Sequence, residues 1–165
     1  TCTILYDQAS NILYRYISSS KSYKRVSNVI DKLNGSRYYF YDANGNRRTS
    51  SGWKKVNGST AYYVCDGGYV TSRYTDQKGT KKVYDFDYSK NTWVQKKNMW
   101  KTVYRSRYYF GSKGVATMSY NNSTKKAYKF TGRKWKPAKK LIMKIGNANY
   151  YFNSAAKVSA ASLYA

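Results

Sequence analysis

The chain contains no histidine and no glutamate among its 165 residues. Without histidine, neither a Ser-His-Asp or Cys-His catalytic device nor a His-ligated metal centre can be built, and no cofactor is implied. All seven acids are aspartates, set against 31 lysines and arginines, for a formal net charge of +24. No run of about 18 apolar residues is present, so nothing in the sequence reads as a membrane-spanning helix. Leu, Ile, Val and Phe together supply only 26 residues, a share that with such charge usually marks disorder. Here 21 Tyr and four Trp supply the missing apolar area, each burying a ring while its polar tip stays near water. The chain therefore reads as folded, with a wet surface. Two cysteines, Cys2 and Cys65, allow either one disulfide or two free thiols. The chain opens on Thr, without Met or a signal peptide, and so reads as a piece of a longer or processed protein.

What is present is a hairpin written four times. "IDKLNGSRYYF" (Ile30 to Phe40), "WKKVNGSTAYYV" (Trp53 to Val64), "WKTVYRSRYYF" (Trp100 to Phe110) and "IMKIGNANYYF" (Ile142 to Phe152) share one order of residues. A bulky residue comes first, an aliphatic three positions later, then a short polar turn and a Tyr-Tyr-apolar end. Strand alternation places Tyr38 and Phe40 on one face and Tyr39 on the other, and likewise separates Tyr109 from Tyr108 and Phe110, and Tyr151 from Tyr150 and Phe152. One Tyr of each pair should pack and its neighbour should face outward. Three copies sit in a longer unit in which Tyr23, Trp93 and Trp135 precede the closing Phe by 17 positions. Upstream lie the short strands "LYRY", "VYDF" and "AYKF", so units begin near residues 12, 83 and 127. An opening hairpin runs from Ile4 to Tyr14.

Tyr, Thr and Val dominate, Ala and Leu are sparse, and Asn-Gly, Gly-Gly and Lys-Gly punctuate at short intervals, a composition that disfavours helix. "DANGN" (Asp42 to Asn46) and Asn57-Gly58 predict two-residue turns. The expected fold is all-β, with tandem short β-hairpin repeats forming one or two small β domains. The expected boundary near Thr80 to Lys82 gives halves 1–82 and 83–165.

Two acidic patterns call for chemistry and are better explained without it. Asp85 and Asp87 would share a strand face, where a carboxylate pair can act as acid and base, yet they sit in a hairpin-rich stretch beside Lys81 and Lys82. "DANGN" matches the first half of a calcium loop, but no acid follows at the closing position, and a hairpin turn accounts for it. No enzyme activity is expected. The bases point elsewhere. Lys outnumbers Arg by 22 to nine, which favours loose capture of a repeating anion over bidentate readout. Basic pairs recur along the whole chain, and solubility alone needs far less charge.

"GWKKVNGSTAYYV", "LNGSRYYFYDANGNRRTSSGW" and "IGNANYYFNSAAKVS" resemble the aromatic cell-wall-binding repeats of Gram-positive surface proteins. The Lys-Tyr richness and the longer unit are most similar to the wall-anchoring domains of lactobacillar surface-layer proteins. The resemblance implies a non-catalytic, extracellular module held on an anionic wall polymer: teichoic or lipoteichoic acid, or a peptidoglycan-linked glycan. In choline-binding members, paired Trp and Tyr from adjacent hairpins cage a quaternary ammonium. Only the Trp53 copy keeps Gly-Trp here, with Ile30 and Ile142 in the matching place of two others, which argues against such a cage. The residues expected to hold polymer are Trp53, Lys54, Lys55, Arg37, Tyr39, Tyr63, Arg107, Tyr109, Lys125, Lys126, Lys139, Lys140 and Tyr151. Two readings compete: single-stranded nucleic-acid binding on a basic aromatic β surface, and self-association in a surface lattice through the Tyr faces.

Overall fold

With few helix formers and a turn residue every few positions, the chain has hairpins as its only economical way to pair its backbone. A computed structural model describes residues 3–33, 35 and 37–160, and among them there are strands and no helix. Pairing of Cys65 with Cys2 lies outside the described residues. β1 (Ile4–Asp7), β2 (Ile12–Ile17) and β3 (Ser22–Arg25) form one antiparallel sheet, and β4 (Val29–Leu33), β5 (Arg37–Tyr41) and β6 (Arg47–Arg48) a second. A five-stranded meander follows: β7 (Gly52–Lys55), β8 (Thr60–Val64), β9 (Val70–Gln77), β10 (Thr80–Asp87) and β11 (Thr92–Gln95). The same topology recurs in β12 (Met99–Val103), β13 (Ser106–Phe110), β14 (Ala116–Asn121), β15 (Lys126–Phe130) and β16 (Trp135–Pro137). The last sheet holds β17 (Leu141–Ile145), β18 (Ala148–Phe152) and β19 (Val158–Ala160). The chain forms two compact units: Thr1–Tyr74 with Tyr84–Val94, and Thr75–Val83 with Gln95–Ala165.

One turn, repeated, organises these sheets. It follows every aromatic hairpin, at Asp42–Asn46, Cys65–Tyr69, Gly111–Val115 and Asn153–Lys157. In each, the first N–H donates to the fifth carbonyl and the fourth N–H donates back to the first carbonyl, at 2.8 to 3.0 Å. The fourth residue is left-handed: Gly45 (φ 74°), Gly68 (75°), Gly114 (69°) and Ala156 (58°). "DANGN" is thus a five-residue turn, not a two-residue one. Asp42 Oδ1 accepts the amides of Asn44 and Asn46, and Asn153 Oδ1 does the same for Ala155 and Lys157. The carboxylate is a turn cap.

A neighbouring hairpin then docks on this turn in the same way three times. Ile12 bridges Asn46, Lys82 bridges Val115, and Lys126 bridges Lys157. Asn28, Asn98 and Lys140, all left-handed, donate their N–H to the first carbonyl of the turn. Val26 donates to Leu13, Lys96 to Val83 and Ala138 to Ala127. The long units expected near 12, 83 and 127 are therefore three copies of one hydrogen-bonded module: β2 to β6, β10 to β14, and β15 to β19. Their cores match in position. Leu13, Val26 and Tyr41 form a buried cluster in the first module, and Ala127, Ala138 and Phe152 hold the same places in the last.

The aromatic hairpins are less alike than their sequences. Trp53 pairs with Tyr63, Trp100 with Tyr109 and Ile142 with Tyr151, but Ile30 pairs with Phe40. The cause is loop length. Val103 pairs with Ser106 and Ile145 with Ala148 across two residues, whereas Leu33 pairs with Arg37 across three. One extra residue shifts the pairing by one. Structurally, Tyr39-Phe40-Tyr41 is the counterpart of Tyr108-Tyr109-Phe110. Tyr38 packs with Phe40 as expected, but Tyr39 does not face outward: it packs against the Leu13–Tyr41 cluster. The second hairpin also turns differently from expectation. Val56 N–H donates to Thr60 O, leaving Asn57, Gly58 and Ser59 as a three-residue loop, with Asn57 Oδ1 accepting from Ser59.

The repeat generates two stability predictions. Tyr41 is fully buried, and its hydroxyl has no hydrogen-bond partner; burial pushes that phenol up to about 12. Phe fills the same place in the other two modules, so Tyr41→Phe should stabilise the protein by about 1 kcal/mol, read by chemical denaturation. For Asp42, burial alone would raise the carboxyl. Hydrogen bonds from the Asn46 and Asn44 amides and the charge of Arg48 outweigh burial and hold it below its ordinary 3.8. Its contribution is thus present above that value and is lost as pH falls through the lower folded one. Asp42→Ala should cost about 1 kcal/mol at neutral pH. Asp42→Asn, which copies Asn153, should keep most of the stability and remove this residue's share of the acid sensitivity.

Candidate functional site

The folded chain sorts its charge unevenly. The first unit carries twelve bases and six acids; the second carries nineteen bases and one acid, Asp76. Every Asp lies at or before position 87, so the last 78 residues hold 17 bases and no acid. Most of the acids are already engaged. Asp31 pairs with Arg15, Asp42 with Arg48, and Asp76 with Lys81. Asp85 accepts from Ser72 Oγ at 2.7 Å. Asp87 accepts from the Ser89 hydroxyl and from the Ser89 and Lys90 amides, and these bonds hold its carboxyl below the ordinary value. Asp85 and Asp87 therefore serve separate local networks. Among the described residues, no three Cys, His, Asp or Glu side chains gather to hold a metal.

Both kinds of base lie over aromatic rings, arginine the more closely. Arg47 lies over the Tyr39 ring (3.8 Å to the centroid), Arg37 over Tyr69 (4.2 Å), and Arg73 against Tyr84 (4.6 Å) and Trp93 (4.9 Å). Arg107 is half-buried opposite Tyr120, and its guanidinium covers Gly146 so closely that a Cβ there would meet Nη2 at 3.4 Å. Lysine lies over rings more loosely, with Lys32 Nζ 4.9 Å from the Tyr38 centroid and Lys81 Nζ 5.8 Å from those of Tyr108 and Trp135, as suits a more strongly hydrated ammonium. Of the expected polymer-binding residues, then, Arg107 and Tyr39 are half-buried in the scaffold, whereas Arg37 stays exposed while lying over Tyr69. Tyr109 lies against Trp100 (5.5 Å between centroids), and Tyr151 faces Ile142, which is 64% exposed.

Trp53, Lys54 and Lys55 lie on β7, an edge strand. Together with Arg48, Asp42 and Ser50 they line an open depression of about 500 Å³ in the first unit. Trp53 is half-buried, edge-on to Tyr63 (5.5 Å) and Tyr74 (6.2 Å), and Lys54 Nζ donates to Ser50 Oγ at 2.9 Å. The depression offers one indole beside cations, a surface that suits an anionic, hydroxylated chain.

Lys125, Lys126, Lys139 and Lys140 come from two separate stretches of sequence and meet at one place in the second unit, around the Asn153–Lys157 turn. Lys140 N–H donates to Asn153 O (3.2 Å), Val158 N–H donates to Lys125 O (3.2 Å), and Lys126 bridges Lys157. Lys157 escaped the sequence reading because it belongs to no basic pair. The absence of acid beyond Asp87 was visible as a charge asymmetry.

No protein-family model matches the chain, and no curated protein matches it. Among solved structures, it is similar to choline binding protein F from Streptococcus pneumoniae, determined with a peptidoglycan analogue: 19% identity, 96% of this chain and 52% of that one, TM-score 0.28. It is similar to the modular Cpl-1 endolysin complexed with a peptidoglycan analogue, at 17% identity over 99% of this chain and 39% of that one, TM-score 0.31. It is also similar to truncated alternansucrase from Leuconostoc mesenteroides, at 14% identity over 90% of this chain and 12% of that one, TM-score 0.30. The chain spans about half or less of each of these proteins, and likeness at this level carries no function across.

Scaffold and surface residues of the aromatic hairpins should separate on substitution. Ile30 packs with Phe40, Val64 and Val70, so Ile30→Ala should cost roughly 2–4 kcal/mol in a denaturant melt. Lys55→Ala, at an exposed edge, should change stability by no more than about 0.5 kcal/mol.

Proposed function

We propose that this chain is a non-catalytic cell-wall-binding module of a bacterial surface-layer or surface-layer-associated protein, acting outside the cell of a Gram-positive bacterium. Its partner is an anionic wall polymer, teichoic or lipoteichoic acid, held by cationic and aromatic contacts. The observation that carries this reading is the second unit, in which nineteen bases face one acid. Charge in that excess opposes compaction, which supports an external polyanion as its match. The rigid β scaffold spaces the lysines, and a flexible poly-phosphate can settle on them by releasing counterions. Rings such as Trp53 and Tyr63 add contacts to glycerol or sugar faces, and repetition along the polymer turns weak contacts into avidity.

Sedimentation with purified walls tests this. Binding to intact walls should weaken by about a hundredfold between 50 and 200 mM salt if four or five phosphates are neutralised, and should vanish after chemical removal of teichoic acid. Because the chain has no histidine, the side chain that ordinarily changes charge between about pH 5 and 8, binding should stay flat from about pH 5 to 8. Unchanged binding to stripped walls would overturn the proposal, as would RNA displacing the protein from walls at stoichiometric amounts.

A further inference from the structure

We infer that the lysines around the Asn153–Lys157 turn form a specific phosphate-binding site, built on five positions whose first-module counterparts carry no charge. The inference rests on the wall-polymer reading and names where the polymer's phosphates sit.

The two modules make the same hydrogen bonds around the turn. Leu13 donates to Gly45 as Ala127 does to Ala156; Asn28 donates to Asp42 as Lys140 does to Asn153; Arg47 donates to Asn11 as Val158 does to Lys125; and Ile12 bridges Asn46 as Lys126 bridges Lys157. Position by position, Asn11, Ile12, Ser27, Asn28 and Asn46 in the first module become Lys125, Lys126, Lys139, Lys140 and Lys157 in the third. The second module is intermediate, with Lys82, Lys97, Asn98 and Val115 at four of these places. The fold therefore does not require lysine at any of them.

Two of the replacements run against local preference. Lys125 (φ 57°) and Lys140 (φ 48°) are left-handed, as are their counterparts Asn11 (57°) and Asn28 (48°). Asn is several-fold enriched in that conformation, and Lys is not. Lysine there makes the turn less favourable and adds like charge beside Lys126 and Lys157. Lys125, Lys139, Lys140 and Lys157 are exposed, and the one acid of this unit, Asp76, is paired with Lys81. Lysines whose backbones meet from two hairpins at one turn suit adjacent phosphates of a phosphodiester chain, which can neutralise several neighbouring cations.

The first module supplies the test. In the full chain, Lys125→Asn, Lys139→Ser, Lys140→Asn and Lys157→Asn together restore its residues and should leave the melting temperature unchanged or raised. With long-chain inorganic polyphosphate as the probe, the slope of log affinity against log salt should fall in magnitude by about three, from four lysines at ~0.7 each. A charge-matched variant, Lys24→Gln, Lys90→Gln, Lys113→Gln and Lys134→Gln, should lose less than one. The reciprocal change, Asn11→Lys, Ser27→Lys, Asn28→Lys and Asn46→Lys, should steepen the slope. Equal losses in the two lowered-charge variants would overturn the site and leave the wall-polymer reading standing. Wild-type protein that binds neither polyphosphate nor intact walls would overturn both.

Discussion

Everything in this fold hangs on a five-residue turn whose carbonyls are shared. The turn closes on itself through two backbone hydrogen bonds. Asp42, Gly111 and Asn153, the first residues of three such turns, also accept through their carbonyls a bond from the chain entering the aromatic hairpin, and the carbonyls of Gly45 and Ala156 accept one from the hairpin upstream. A protein with 26 Leu, Ile, Val and Phe residues cannot rely on a large aliphatic core. The turn meets that shortage by making backbone pairing do what packing does elsewhere. The small clusters, such as Leu13 with Val26 and Tyr41, then need only fill the angle between two hairpins already tied together. Left-handed geometry at the fourth position follows, which is why Gly occupies it in Gly45, Gly68 and Gly114, and why the buried Ala156 is the exception.

The same frame explains how so basic a chain stays folded. Guanidinium groups are drawn into the aromatic surface, where Arg37, Arg47 and Arg73 cover rings, and the few carboxylates cap turns or join single ion pairs. Most lysines stay exposed, while Lys32 and Lys81 also lie over rings. A scaffold defined by backbone bonds tolerates side-chain exchange at its surface positions, so lysine can accumulate in later modules without altering the fold. Charge and architecture are independent variables here, and three modules show the same turn carrying different numbers of cations.

Much of the fold was legible in the sequence because hairpins announce themselves locally: alternation, the Tyr-Tyr-apolar ending and the 17-residue spacing all mapped onto strands. Loop length was the weak point. The letters Tyr38-Tyr39-Phe40 match the other copies, yet one extra residue between Leu33 and Arg37 moves the register and turns the half-buried Tyr39 onto the Leu13–Tyr41 cluster. Asn57-Gly58 misled for a related reason, since the side chain of Asn57 closes a wider loop. The basic pairs were legible as pairs, but not their convergence. Lys125 and Lys140 are 15 positions apart and meet only because both hydrogen-bond the ends of one turn, and Lys157 joins them without any neighbouring base.

The anion site proposed at the Asn153–Lys157 turn differs from the equivalent Asp42–Asn46 turn by substitution alone, on one backbone geometry. The most direct measurement is amide chemical-shift mapping of the full chain on titration with polyphosphate at low salt. The shifts should concentrate at Lys125, Lys126, Lys139, Lys140 and Lys157 and leave Asn11, Ile12, Ser27, Asn28 and Asn46 unmoved. Shifts of equal size at both turns, or shifts confined to the Trp53 depression, would contradict it.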